Sequence, residues 1–293
     1  LGGELPSTYV YISESMPQKR GSGFGITMTG VNAGLLLGMA INQLLNLSFN
    51  TEQLTAYGWR IPFIIGGALC LISYKIRKTL QETAAFNKIH DKPEFPLAYL
   101  FKHNLPQMIA GIATTGIMSS LVVIAIIFMP TYLHKMLHID NRLISQIMPI
   151  AMILNVITIY ITGRIANHVT PYIILRNLII ASAILVPTSY WLIDAGHIAA
   201  GVIILAILEG VAAMIIPYLI TCLFPAKIRL TGVAMSYNIG FTIFGGMAPI
   251  IISSSIQSGH GIYQTPLIFM AVILLICSFG LYYAKRHSCD PIT

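Results

Sequence analysis

Phe224-Pro225-Ala226-Lys227-Ile228-Arg229-Leu230-Thr231-Gly232 opens the stretch on which the fold turns, and it continues through Tyr237-Asn238 and Phe244-Gly245-Gly246 to Pro249. A short basic loop passes directly into a helix that carries no charge yet holds polar and glycine residues. A weaker copy lies near the start of the chain. Pro17-Gln18-Lys19-Arg20 parallels the basic loop, and Asn32-Ala33-Gly34 with Gly38-Met39-Ala40 parallels Asn238-Ile239-Gly240 with Gly246-Met247-Ala248. Pro62 parallels Pro266, and Glu4 parallels Glu209. The offsets, taken at the loop proline, the Asn, the later Pro and the Glu, are 208, 206, 204 and 205 residues. One nearly constant offset across three helices marks an internal repeat.

Composition places both copies in a bilayer. The chain is 56% hydrophobic and only 9% charged, with a mean hydropathy of +0.77, whereas soluble domains carry about 25% charged residues. Gly21 to Thr51, His103 to His134, Leu143 to Gly163 and Leu230 to Ala284 contain no Asp, Glu, Lys or Arg. Each is long enough for a spanning helix of about 20 residues, and the last is long enough for two. The turn Gln257 to Gln264 divides that last window. The expected spans are 1–15 (partial), 22–47, 59–76, 106–133, 143–163, 173–193, 198–222, 232–256 and 265–284.

Charge sets the orientation. Of the 17 Lys and Arg, 14 fall in one set of alternate loops and three (Arg60, Lys135, Arg142) in the other. The richer side is expected to be cytoplasmic. The net charge of +7 is explained by this asymmetry, so no nucleic-acid partner is expected; the partner is the lipid bilayer. Cys70, Cys222, Cys277 and Cys289 are scattered, with neither a disulfide framework nor a metal spacing. No His pair has metal spacing and no glycine-rich phosphate loop occurs, so neither metal nor cofactor is expected.

Both copies begin with a helix descending to a basic loop and therefore share one orientation. That is a parallel repeat of two six-helix halves in an all-α integral membrane fold. The expected organisation is residues 1–78 as the last three helices of the first half, 79–105 as a central cytoplasmic linker, and 106–293 as the complete second half. The three helices between 106 and 193 have no partner in the chain, so three more are expected ahead of Leu1.

The loop and helix at 224–249 resemble the corresponding part of major facilitator transporters, most closely the metabolite:proton symporter branch of proline/betaine, citrate, 2-oxoglutarate and shikimate carriers. Gly2-Gly3-Glu4 with Tyr11, Glu14, Pro17, Arg20 and Gly21 resembles that branch's fourth helix and loop. Gly58-Trp59-Arg60-Ile61-Pro62-Phe63 resembles the start of its sixth helix, and Glu82-Thr83-Ala84-Ala85-Phe86 the motif after it. Three departures stand out. Gly163-Arg164-Ile165-Ala166-Asn167-His168 holds Asn167 where the branch has Asp, which weakens an expected charge latch. Cys222 stands where Glu is common, and Ala84 replaces a Pro.

Glu209 falls mid-helix in 198–222. An ionised acid at that depth costs about 2.5–3.5 kcal/mol on insertion scales, so it is a candidate to take a proton from one side and release it to the other; a structural hydrogen bond to a neighbouring helix is the alternative. The resemblance puts Glu4 on a cavity-lining helix. Glu14, one turn from the basic loop, is expected to pair with Lys19 or Arg20 in a gating role. Arg20, Asn167, His168 and Arg229 complete the gating set. Thr114, Thr115, Ser119, Ser120, Asn155, Thr158, Tyr218, Thr221, Tyr237 and Asn238 are candidates for a cavity wall, with helix packing as the competing role for the hydroxyls. Thr115, Ser119, Asn155, Tyr218, Tyr237 and Asn238 are singled out among them. Tyr132, Tyr218 and Tyr237 could hold a quaternary amine through cation–π contact, and Tyr132 could equally be an interfacial anchor. Gly30, Gly34 and Gly38 suggest a close-contact helix face, and Pro130, Pro149, Pro187, Pro217 and Pro249 suggest bends.

These readings converge on a carrier rather than an enzyme. The expected function is proton-coupled symport of a small polar metabolite by alternating access, in a bacterial plasma membrane. The solute is an osmolyte such as proline or betaine, or a small carboxylate. The absence of basic residues at membrane depth argues against a dicarboxylate. A proton-driven exporter and a non-transporting sensor are the rivals. Oligomeric state is not legible.

Overall fold

A chain without ionisable groups over 20 or more residues must satisfy its backbone internally once in lipid, and the helix does so within one segment. The computed structural model describes residues 3–78 and 95–290, and the described residues form helices with no strand. Eight helical segments are long and apolar enough to cross a membrane: Arg20–Ser48, Leu54–Lys75, Leu105–Ile127, Asn141–Ile165, Pro171–Asp194, Ile198–Leu223, Ala226–Gln257 and Gln264–His287. They match the eight complete spans expected from sequence.

The principal helices are α1 (Glu4–Ser15), α2 (Arg20–Ser48), α3 (Arg60–Arg77), α4 (Pro96–His103), α5 (Leu105–Val122), α6 (Asn141–Ile165), α7 (Pro171–Asp194), α8 (Ile198–Leu223), α9 (Arg229–Gly240), α10 (Met247–Gln257) and α11 (Gln264–His287). Local chemistry sets several ends. Asp140 caps α6, its Oδ1 accepting from Arg142 N at 2.9 Å. Pro171 supplies the first residue of α7, where a missing N–H costs nothing. Gly196, at φ +87°, turns the chain after α7 in a conformation that a side chain would strain.

The apolar windows are buried unequally. α5 and α8 form the centre, and α6, α7, α9 and α11 surround them. α1 packs on α2, α8 and α9, and α2 packs on α6 and α8. α2 is enclosed mainly over its first part: Gly21, Phe24, Gly25, Met28 and Asn32 are buried, whereas beyond them Leu45 is buried but Leu35, Leu37, Leu44 and Leu47 are exposed. α3 is exposed along most of its length. α1 and the first part of α2 therefore meet α6, α8 and α9 near the basic loops.

Three of the sequence expectations can be placed here. Gly30, Gly34 and Gly38 do not form the close seam among the described residues, none of which lies within 4 Å of a Cβ placed on any of them. The seam uses Gly21 and Gly25 of α2 against Gly163 of α6, and a Cβ on Gly25 would stand 2.8 Å from Gly163 Cα. Second, Pro149, Pro187 and Pro217 lie inside unbroken α-helices. The interruptions occur at Pro130 and Pro249, each preceded by a π-helical turn (Val123–Ile127 and Phe241–Gly246). Proline cannot donate to its own turn and its ring crowds the carbonyl four residues back, and the widened turn relieves both. Third, residues 96–103 of the expected linker are helical. The rest of that linker up to residue 94, with the Glu82–Phe86 motif, lies outside the described residues.

Candidate functional site

Two constellations emerge, one at mid-membrane depth and one at the basic end. The first begins at Glu209, in the middle of α8 and 1% exposed. α6 comes close there because residue 210 is glycine: a Cβ on Gly210 would lie 2.9 Å from Asn155 O and 3.1 Å from Thr158 Cβ. That approach brings Asn155, fully buried, onto Glu209. Its Nδ2 donates to Glu209 Oε2 and to Ala206 O, the latter at 2.8 Å. Glu209 Oε1 and Asn155 Oδ1 are buried acceptors with no hydrogen-bond partner among the described residues. Two unsatisfied acceptors side by side are costly, and a proton on the carboxyl converts one of them to a donor.

The same helix α8 carries one end of a chain of five aromatic rings. Tyr218 of α8 stacks on Phe24 of α2 with centroids 5.4 Å apart and planes 13° apart. Phe24 meets Tyr9 of α1 at 6.2 Å, Tyr9 meets Tyr237 of α9 edge-on at 5.6 Å, and Tyr237 meets Phe241 at 4.6 Å. The chain joins α1 and α2 to α8 and α9. Of its members, Tyr218 and Tyr237 are expected from sequence; Tyr9, Phe24 and Phe241 are not, since a lone aromatic in an apolar helix carries no mark of what faces it.

Other expected wall residues sit elsewhere. Thr115 and Ser119 are buried in the seam between α5 and the α9 region, Thr115 against Gly240 and Ser119 against Gly245. Thr115 Oγ1 donates to Gly111 O at 2.7 Å, and Ser119 Oγ to Gly116 O at 3.1 Å. Of the two roles open to them, this placement favours helix packing, because small hydroxylated side chains let two backbones approach. Tyr132 is likewise apart from the ring chain: its hydroxyl donates to Ile262 O at 3.0 Å and its ring meets Tyr190. Asn238 donates to Ala234 O at 2.8 Å and borders a hollow of about 350 Å³ with Ile239, Thr242 and Ile243. Glu4 is exposed in the first turn of α1, unlike its repeat partner Glu209. A larger hollow of about 700 Å³, between the α10 region and α11, is lined mainly by Ile, Val, Phe and Met and contains none of the five rings.

The second constellation gathers the repeated arginines. Arg229 is buried, and its guanidinium reaches Glu14 Oε1 at 3.4 Å, Asp290 Oδ2 at 3.2 Å and Phe224 O at 3.1 Å. Arg20 donates to the same Asp290 Oδ2 at 2.9 Å and to Ser13 O at 3.1 Å. Glu14 thus meets the distant Arg229, while neighbouring Arg20 turns to Asp290, correcting the expected local pair. The tail holding Asp290 is fixed by its backbone: Cys289 N and Asp290 N both donate to Cys222 O at 3.0 Å, satisfying a carbonyl of the last turn of α8. Burial, then Asp290, push the Cys289 thiol above its usual pKa. Asp290 was missed from sequence because a single acid after the last helix carries no spacing signal.

Asn167 completes this end. Its Oδ1 accepts from Ser22 N at 3.1 Å and its Nδ2 donates to Ser22 Oγ at 2.6 Å. It therefore ties the α6–α7 turn to the first turn of α2 with neutral groups where the family pattern uses a charge. His168 is exposed beside it. Lys227 donates to Tyr99 Oη at 2.6 Å.

Comparison with known proteins agrees with this architecture. A Major Facilitator Superfamily profile matches residues 1–229. The ectoine/proline transporter ProP of Corynebacterium glutamicum is 24% identical over 99% of this chain and 62% of its own length. The glycine betaine/proline/ectoine/pipecolic acid transporter OusA of Dickeya dadantii is 25% identical over 100% of this chain and 61% of its own. The chain thus spans about three-fifths of the length of these curated relatives. With eight membrane-capable helices among the described residues and a family match over most of its length, the chain is a multi-pass member of the Major Facilitator Superfamily.

Proposed function

We propose that the protein is a proton-coupled secondary carrier of small osmolytes, zwitterions or quaternary amines of the proline, betaine and ectoine kind, working by alternating access. The observation that carries this reading is that Glu209, paired with Asn155, and Tyr218, the end of the chain Tyr218–Phe24–Tyr9–Tyr237–Phe241, share α8, which makes that helix the junction of the two groups. Aromatic faces attract a cationic ammonium group, and a buried carboxyl that exchanges a proton supplies coupling. The names of the two relatives support the same solute class. Residues 1–78 and 106–293 serve as the two sides that rock about this junction, joined by 79–105. Tyr218, Tyr237 and Asn155 contact or frame the solute, Asn238 and Glu4 border its path, and Glu14, Arg20, Asn167, His168 and Arg229 belong to the gate. The basic end is cytoplasmic, with the linker and C-terminus on that side of a bacterial plasma membrane, as 14 of the 17 positive residues on one side favour. In this orientation the described arrangement is closed toward the cytoplasm.

The test uses the full-length protein in proteoliposomes with an inward proton gradient and labelled proline, betaine, ectoine and 2-oxoglutarate. Uptake of an osmolyte that collapses with a protonophore and is lost in Glu209→Gln is the expected result. Uptake that persists in that variant with the same gradient dependence removes Glu209 from coupling. Solute exit driven by proton entry replaces symport with antiport, and saturable binding without flux replaces the carrier with a sensor.

A further inference from the structure

We infer that Asp290 is a gate residue: its carboxylate acts as an internal ligand for the two repeat-related arginines and holds the basic end closed. The inference rests on the alternating-access reading above. Arg20 begins α2 and Arg229 begins α9, at equivalent places in the two copies of the repeat. Both direct a guanidinium N–H to one oxygen, Asp290 Oδ2, at 2.9 and 3.2 Å. A single carboxylate thereby connects the α1–α2 side to the α8–α9 side. Glu14 adds a second link of the same kind through Arg229.

The geometry separates two jobs of this tail. Its backbone, through Cys289 N and Asp290 N, caps Cys222 O at the end of α8. Its side chain alone spans the seam. The tail is thus anchored to α8 whatever the side chain does, and the carboxylate is presented to Arg20 without further ordering. Charge-assisted hydrogen bonds are stronger than neutral ones, and Arg229, with a side chain 7% exposed, is little screened by water. When the basic end opens, α2 must leave α8 and α9, and the Arg20–Asp290 contact must break. The contact therefore exists in one state and not in the other, which is the condition for biasing a two-state equilibrium.

Replacing the carboxylate while keeping the backbone tests this. Spin labels carried by Gln18→Cys and His168→Cys, both exposed positions on loops at the basic end, report the distance across the seam in the full-length protein with native cysteines replaced. The parent is expected to give a dominant short distance. Asp290→Asn is expected to raise the ratio of long to short populations about tenfold, within the usual span of conformational coupling, and Asp290→Glu to restore the short distance. Monodisperse elution of each variant checks folding. A distance distribution for Asp290→Asn that superimposes on the parent overturns the gate role, as does a shift in Asp290→Asn that Asp290→Glu leaves uncorrected. The readout is a distance and not a flux. A protein that fails every uptake test but opens in Asp290→Asn keeps the latch and loses the carrier reading, and one that transports but does not open loses the latch alone.

Discussion

The Asn155–Glu209 pair and the Arg20–Arg229–Asp290–Glu14 cluster are both polar groups held in an apolar bundle, yet they are satisfied in opposite ways. At mid-depth one amide serves one carboxyl, and two buried acceptors remain over. At the basic end each arginine donates to both a carboxylate and a backbone carbonyl. An incomplete arrangement is responsive, because a proton or a solute can complete it. A complete one is a fastener, stable until several contacts break together. The contrast separates two acids of similar rarity in the sequence: Glu209 keeps one oxygen without a partner among the described residues, and Glu14 is held by Arg229.

Arg229→Ala should cut deepest. It leaves Glu14, with a side chain 5% exposed, without this partner and removes one hold on Asp290. Breaking a buried pair from one side costs about 3–5 kcal/mol, so the thermal unfolding midpoint in detergent should drop sharply. A midpoint within a degree of the parent would mean that the cluster fastens nothing. Asn155→Ala should have a middling effect. It removes the donor to Glu209 Oε2 across α6 and α8, and interhelical hydrogen bonds in membranes contribute about 1–2 kcal/mol at most. The sharper expectation is functional: the pH profile of uptake should move while folding survives, because the carboxyl loses the group that orients its charged form. An unmoved profile would reduce Asn155 to packing. The smallest effect belongs to Asn167→Ala, which deletes two neutral hydrogen bonds to Ser22 and should cost about 1 kcal/mol. Asn167→Asp is the companion variant. If it tightens the basic end, as seen by slower exchange of labelled solute, the neutral latch of this chain is the weaker one; no change would erase the distinction between charged and neutral versions.

Much of this was legible before any coordinates. Uncharged windows gave the spans, and loop charge gave the sidedness expected of them. The offset repeat paired Arg20 with Arg229 and Glu4 with Glu209. What could not be read was which side chains meet. Glu14 is followed closely by Arg20, and proximity in sequence favoured that pair; the packing of α1 against α9 made Arg229 the nearer partner. Gly30, Gly34 and Gly38 have the spacing of a contact face, but spacing does not say whether a neighbour is present, and here Gly21 and Gly25 meet Gly163 instead. Thr115 and Ser119 have the polarity of a cavity wall and the size of a packing residue, and only the approach of Gly240 and Gly245 decided between them.

The sequence by itself determined that the chain is a membrane bundle with repeated basic loops, since hydropathy and charge act residue by residue and need no partner. Tertiary structure alone decided that Asn155 serves Glu209, that five rings from four helices line up, and that Asp290 ties both arginines. Those outcomes depend on helix approach and rotation, which small residues such as Gly210 and Gly163 permit at one point along a helix and bulkier neighbours forbid at the next.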